Sequence, residues 1–106
     1  MKKRVAIVTG GARRLGRAIV LDLAAHGWAV AIHCNSSRND ADALADEIIV
    51  DGGEATVVVA DLTDASNLSR VVYDSATTLG RPSLLVNNAS IFVDDRMGSL
   101  DPAFFN

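Results

Sequence analysis

Several resources are scarce in this sequence, and each absence removes a class of explanation. Cys34 is the only cysteine, so no disulfide can close within the chain, and a reducing compartment is expected. No apolar run approaches the roughly 20 residues of a membrane-spanning helix. Lys2-Lys3-Arg4 ahead of Val5–Val8 imitates a secretory signal, but the apolar run is short and Gly10-Gly11-Ala12-Arg13-Arg14 follows at once. The expectation is a cytoplasmic protein that neither enters nor crosses a membrane. Surplus positive charge is also missing. A formal net charge of −3 and one basic run, read as a solvated lead-in, exclude a general nucleic-acid binder. His26 and His33 have no metal-ligand spacing around them, so no metal site is expected.

What is present fits one small domain. The chain has 106 residues, of which 49% are hydrophobic, enough for a single core and too few residues for two. Apolar runs at Val5–Val8, Ala29–Ile32, Val57–Ala60 and Leu84–Val86 read as buried strands of a parallel sheet. Three segments of helical spacing separate them. The first runs from about Arg14 to His26, with Leu15, Ile19 and Leu23 on one face and Gly27 as a left-handed cap. The second carries Ala41, Leu44, Ala45 and Ile48 and breaks at Gly52-Gly53. The third carries Leu68, Val71, Val72 and Leu79, with Thr63 as its N-cap, and ends at Gly80 before Pro82. This alternation predicts an α/β fold, a Rossmann-like doubly wound parallel sheet that is incomplete, with four strands and three helices. Asp101 and Pro102 would open a helix cut off after about one turn. Residues 1–106 are therefore expected to be the N-terminal half of a single nucleotide-binding domain, with the second half absent.

The most informative stretch is Val5-Ala6-Ile7-Val8-Thr9-Gly10-Gly11-Ala12-Arg13-Arg14-Leu15-Gly16-Arg17. A strand, a glycine turn and a helix start are the parts of a phosphate site, because the first helical N–H groups lack partners and glycine lets an anion approach. The spacing Thr9-Gly10-x-x-x-Arg14-x-Gly16 resembles the T-G-x-x-x-G-x-G loop of the short-chain dehydrogenase/reductase family, with Arg14 in place of the middle glycine. Leu84-Leu85-Val86-Asn87-Asn88-Ala89-Ser90 is similar to the N-N-A-G segment that ends the family's fourth strand, with Ser90 in place of glycine. The resemblance covers nearly the whole chain. It implies cofactor contacts at Gly10, Arg13, Arg14 and Leu15 in the loop and at Asn88, Ala89 and Ser90 after the fourth strand. It also implies that Asp61, with Leu62, meets the adenine; the alternative is Asp61 as a turn or cap residue before Thr63.

The end of the second strand selects the cofactor. NAD-binding sheets place an acid about 20 residues past the glycine loop for the ribose 2′-OH. Here the segment is Ile32-His33-Cys34-Asn35-Ser36-Ser37-Arg38, with no carboxylate. Asn35, Ser36, Ser37 and Arg38 suit a 2′-phosphate, which Arg14 or Arg13 could reach from the loop, so NADP(H) is expected; Ser36 and Ser37 also read as caps of the next helix. Arg14, His33–Ser37 and Asn88-Ala89-Ser90-Ile91-Phe92 are together similar to the pteridine reductase branch. That resemblance implies a small-molecule substrate of pterin type stacked on Phe92, although Phe92 also reads as packing under its loop.

No catalytic residue is identified in the chain. The family's acid–base tyrosine is followed four residues later by lysine, whereas the sole tyrosine, Tyr73, is followed by Thr77 and lies too early. Two readings stand. One is the cofactor-binding portion of a short-chain reductase acting on a carbonyl or pterin-like substrate, homo-oligomeric in its full-length form. The other is a non-catalytic NADP(H)-binding or sensing module that assembles with another chain.

Overall fold

The computed structural model describes residues 3–64 and 66–88; Ala89, Ser90 and Phe92 lie outside the described residues. Strands β1 (Val5–Val8), β2 (Ala29–Cys34), β3 (Ala55–Val59) and β4 (Leu84–Val86) alternate with helices α1 (Arg14–Ala25), α2 (Arg38–Val50) and α3 (Ser66–Leu79). All neighbouring strands pair in parallel, in the order β3-β2-β1-β4. The chain builds outward from β1 to β3, then crosses back to place β4 on the other side of β1. The gap between β1 and β4 is therefore the topological switch point of a Rossmann-like sheet. Among the described residues, no helix is long and apolar enough to cross a membrane.

Strands β1 and β2 are buried along their whole length because helices cover both faces, which is why they read as unbroken apolar runs. Side-chain alternation splits those runs between two cores. Val8, Val30 and Ile32 pack with Val20 of α1 and with Ala41, Leu44 and Ile48 of α2. Val5, Ile7, Ala29 and Ala31 pack on the other side with Val71 and Leu79 of α3. Fully burying each of these larger side chains is worth about 1.5–3 kcal/mol.

Helix ends follow local chemistry, with one correction. Gly27 has φ +88, its N–H donates to Ala24 O at 3.0 Å, and Trp28 N–H donates to Leu23 O at 3.1 Å. That paired pattern closes α1 in a left-handed cap. Thr63 does not cap α3: Asp64 Oδ1 instead accepts from Ser66 N–H at 3.0 Å, and Thr63 donates to Asp61. The turn made by Asp61 has displaced Thr63 from the helix start.

The buried faces of two helices also differ from the expected ones. In α1 the fully buried positions are Gly16 and Val20; Leu15 is 61% exposed, and Ile19 and Leu23 are half-buried. In α3, Ser75 is buried between Val71 and Leu79, while Leu68 and Val72 sit at the exposed edge. Ser75 is accommodated because its hydroxyl donates to Val71 O at 2.7 Å.

Candidate functional site

Parallel strands bring four strand ends to one edge of the sheet, and those predicted site residues that are described gather there. Gly10, two residues past β1, has φ +61, a conformation that favours glycine. Its backbone is held from two sides. Gly10 N–H donates to His33 Nδ1 at 3.0 Å, from the end of β2. Asn88 Nδ2 donates to Gly10 O at 3.0 Å, from the end of β4. Gly11 N–H adds a bond to His33 O at 3.0 Å. The glycine turn is thus tied across the switch point by its neighbours.

Helix α1 starts directly on this turn. A Cβ on Gly16 would collide with Gly10 O and come within 2.8 Å of Asn88 Nδ2. Arg13 occupies the N-cap position with extended backbone (φ −139, ψ 154) and makes no side-chain cap bond, and no acid stands in the first turn. A serine, threonine or aspartate would ordinarily take up one of the free N–H groups at such a position. This helix start instead keeps its donors and its positive dipole end available to an anion. Arg14 has φ +54, the only positive-φ non-glycine residue among those described. That explains the glycine in the family loop: the position is left-handed, and arginine occupies it at a cost of roughly 1 kcal/mol.

Gly10, Arg13, Asn35, Ser36 and Ser37 line one cleft of about 210 Å³, so the structure joins the loop to the end of β2. Ser37 is the N-cap residue of α2 but makes no side-chain cap bond, so its expected capping contact is not formed. A larger recess of about 500 Å³ lies between α1 and α2, where Arg13, Arg14 and Arg17 face Asp40 and Glu47. Arg13 stands between the two, with Nε 3.6 Å from an Asp40 carboxylate oxygen. Both partners are largely exposed, so the pairing is weak. Leu15 is exposed at the start of α1.

Asp61 follows β3 on the same edge. Its Oδ1 accepts from Thr63 N–H at 2.9 Å and from Thr63 Oγ1 at 2.7 Å, and these two bonds hold its carboxyl below the usual carboxylate range. The turn role read from the sequence is therefore present. Leu62 packs half-buried against the α3 side of the core. Thr9 N–H bonds to Val86 O at 3.0 Å, and Thr9 Oγ1 lies 3.2 Å from Asn87 Oδ1, fastening β1 to β4 beside the turn. Tyr73 is exposed on α3.

Two residues named in the sequence motifs have contacts there that the sequence did not reveal. His33 is 2% exposed, and besides accepting from Gly10 it places Nε2 2.8 Å from Ala60 O. Burial is the main influence on it and lowers its pKa; the Ala60 bond opposes this. Gly16 is the second, since nothing local in the chain reveals how closely the turn approaches it. Beside His33, burial pushes the Cys34 thiol up and keeps it protonated.

Comparison with known proteins agrees with this architecture. The family model described as short chain dehydrogenase matches residues 4–105. Short-chain dehydrogenase/reductase FrzI of Cladobotryum sp. is 38% identical over 103 residues, covering 97% of this chain and 40% of its own length. A 3-oxoacyl-(acyl-carrier-protein) reductase of Synechocystis sp. is 40% identical over 91 residues, covering 86% and 37%. Among solved structures, FolM alternative dihydrofolate reductase 1 from Brucella canis, complexed with NADP, is 50% identical with a TM-score of 0.78, covering 96% of this chain and 41% of that one. A blue fluorescent protein from a metagenomic library, in complex with NADPH, is 38% identical with a TM-score of 0.80, covering 92% and 40%. The chain spans 37–40% of the length of these two curated relatives.

Proposed function

We propose that this chain, which belongs to the short-chain dehydrogenase family, is the cofactor-holding part of an NADP(H)-dependent reductase. The observation that carries this reading is the α1 start: an N-cap without a side-chain bond, on a glycine turn at the β1/β4 switch point. A pyrophosphate suits such a place, because free N–H donors and the helix dipole favour anions. Gly10 and the main chain of Arg14 and Leu15 would hold it. Arg13, Asn35, Ser36 and Ser37 share one cleft without a carboxylate in its lining, which suits a ribose 2′-phosphate and disfavours a bare 2′-hydroxyl. Asp61 with Leu62 would meet the adenine. Asn88, Ala89 and Ser90 would run beside the nicotinamide ribose.

The bound cofactor would supply a hydride to a carbonyl or imine-type bond. This chain's contribution is binding and orientation; the family's acid–base tyrosine and its lysine would come from sequence beyond these residues. Pterins are the proposed substrate class, with Phe92 as the stacking surface. Support comes from the resemblance of Arg14, His33–Ser37 and Asn88–Phe92 to pteridine reductases, and from the likeness to an alternative dihydrofolate reductase. The proposal extends to a homo-oligomeric full-length protein, and the lone Cys34 favours a reducing, cytoplasmic setting for it.

The test is cofactor titration of the full-length protein and its Arg13→Ala variant. NADPH is expected to bind more tightly than NADH, and Arg13→Ala to weaken NADPH about tenfold while sparing NADH. Equal affinities for the two cofactors would refute the 2′-phosphate assignment. Oxidation of NADPH in the presence of dihydropterins, compared with 3-oxoacyl thioesters, tests the substrate class.

A further inference from the structure

The His33 imidazole uses both ring nitrogens, and the two bonds require different chemistry. Gly10 N–H is a donor, so Nδ1 must be an unprotonated acceptor; Ala60 O is an acceptor, so Nε2 must carry the hydrogen. Only the neutral Nε2–H tautomer satisfies both partners. The ring thereby joins the end of β1, the end of β2 and the residue that follows β3. With Asn88 on the Gly10 carbonyl, the peptide groups flanking the left-handed Gly10 are held from both strand neighbours of β1. Gly10 directs the chain toward the α1 start, so its placement sets where those free N–H donors point.

We propose that His33 is a positioning residue for the cofactor phosphates, holding the glycine turn only while its imidazole is neutral. This rests on the NADP(H) reading above. A second proton would place Nδ1–H against Gly10 N–H, donor facing donor across 3.0 Å, and the bond would be lost. No shorter polar side chain replaces both contacts. An asparagine amide reaches the Nδ1 position and a glutamine amide the Nε2 position, so each substitution keeps one bond and removes the other. The charged and titratable groups around the ring are few. Arg13, the N-cap residue of α1, lines the cleft beside it, Asp61 follows the carbonyl it holds, and Arg38 and Asp42 of α2 act on the adjacent Cys34. Asp61 is already committed to Thr63. The main influence on the ring is burial, which favours the neutral form at neutral pH. By linkage, a cofactor that needs the turn in place must itself favour the neutral ring.

The experiment measures NADP⁺ affinity of the full-length protein by calorimetry from about pH 8 to about pH 5, for the wild type, His33→Asn and His33→Gln. Titration of the cofactor's own phosphates is common to all three. The wild type is expected to lose affinity more steeply on acidification than His33→Asn, which keeps an acceptor for Gly10 and has no proton to gain. His33→Gln, lacking that acceptor, is expected to bind about tenfold more weakly even at the alkaline end. Parallel acid limbs in the wild type and His33→Asn, or full affinity in His33→Gln, would overturn the proposal.

Two readouts on the wild type need neither cofactor nor variant. Nitrogen-15 correlation spectra of labelled histidine should show the neutral Nε2–H tautomer, and hydrogen exchange at the Gly10 amide, scaled to its intrinsic rate, should lose protection as the ring gains its proton. An Nδ1–H tautomer, or unchanged protection, overturns the inference while leaving NADP(H) binding intact. Absent NADP⁺ binding by a protein with the expected tautomer and protection overturns the cofactor reading, and with it the stated purpose of the tie.

Discussion

Gly16→Ala tests how tightly the glycine turn and α1 are packed. The added methyl would occupy space held by Gly10 O and approach Asn88 Nδ2 to 2.8 Å. One obstacle is backbone and the other is a side-chain amide held by a hydrogen bond. Gly10 is fixed by His33, and Asn88 is fixed by the bond it donates to Gly10. Overpacking of this kind costs roughly 1–3 kcal/mol. Displacing Asn88 forfeits a further hydrogen bond, worth about 1 kcal/mol. Alanine's better helix propensity returns about 1 kcal/mol, so the net destabilisation should be roughly 1–3 kcal/mol. Urea unfolding of the full-length protein should show a lower midpoint with an unchanged slope. NADPH affinity should fall as well, because the α1 start must move away from the turn. Gly27→Ala serves as the comparison: its φ of +88 strains alanine, but nothing lies within 4 Å of the new methyl. It should lose stability through the backbone alone and keep NADPH affinity. A Gly16→Ala protein with wild-type midpoint and wild-type NADPH affinity would refute the packing argument.

Three other outcomes follow from the same geometry. Arg14→Gly removes left-handed strain of roughly 1 kcal/mol and should leave the urea midpoint unchanged or higher, yet weaken NADPH binding by removing a cation beside the loop; unchanged affinity would mean that Arg14 plays no part in binding. Asp40→Asn frees Arg13 from its carboxylate partner and should tighten NADPH severalfold without affecting NADH, as read by parallel titrations. Asp64→Ala removes the acceptor at the α3 start and should lower the urea midpoint at neutral pH. Because the Ser66 bonds hold the Asp64 carboxyl below its usual 3.8, this contribution is present above that value and disappears on acidification through the lower native pKa. The deficit of the variant should therefore shrink in acid, and a deficit independent of pH would refute the ionised-cap account.

Elements whose causes are local were legible in the chain. The runs of β1 and β4 and the cap at Gly27 follow from neighbouring residues, so their positions match the expected ones. Strand β2 continues two residues beyond the expected Ile32, to Cys34, because His33 and Cys34 pair with Val58 and Val59 of β3. That pairing depends on a segment distant in sequence, and polar His33 interrupts the apolar signal. Helical periodicity located α1 and α3 but misjudged their faces, since spacing places Leu15, Ile19 and Leu23 on one side without saying how deeply each is covered. Gly16 and Ser75 are buried for reasons supplied by their surroundings: the approach of the turn in one case and a bond to the helix backbone in the other.

By itself, the sequence determined the order of strands and helices, the placement of the glycine turn between β1 and α1, and the absence of a carboxylate at the end of β2. These depend on residue type and short spacing, which the linear chain carries complete. Tertiary structure alone decided that His33, separated from Gly10 by 23 positions and from Ala60 by 27, would tie those two backbones together. It also brought Asn88 onto Gly10 across 78 positions and required a left-handed backbone at Arg14. A parallel sheet makes such contacts because every crossover returns the chain to the same edge, bringing residues distant in sequence within hydrogen-bond reach.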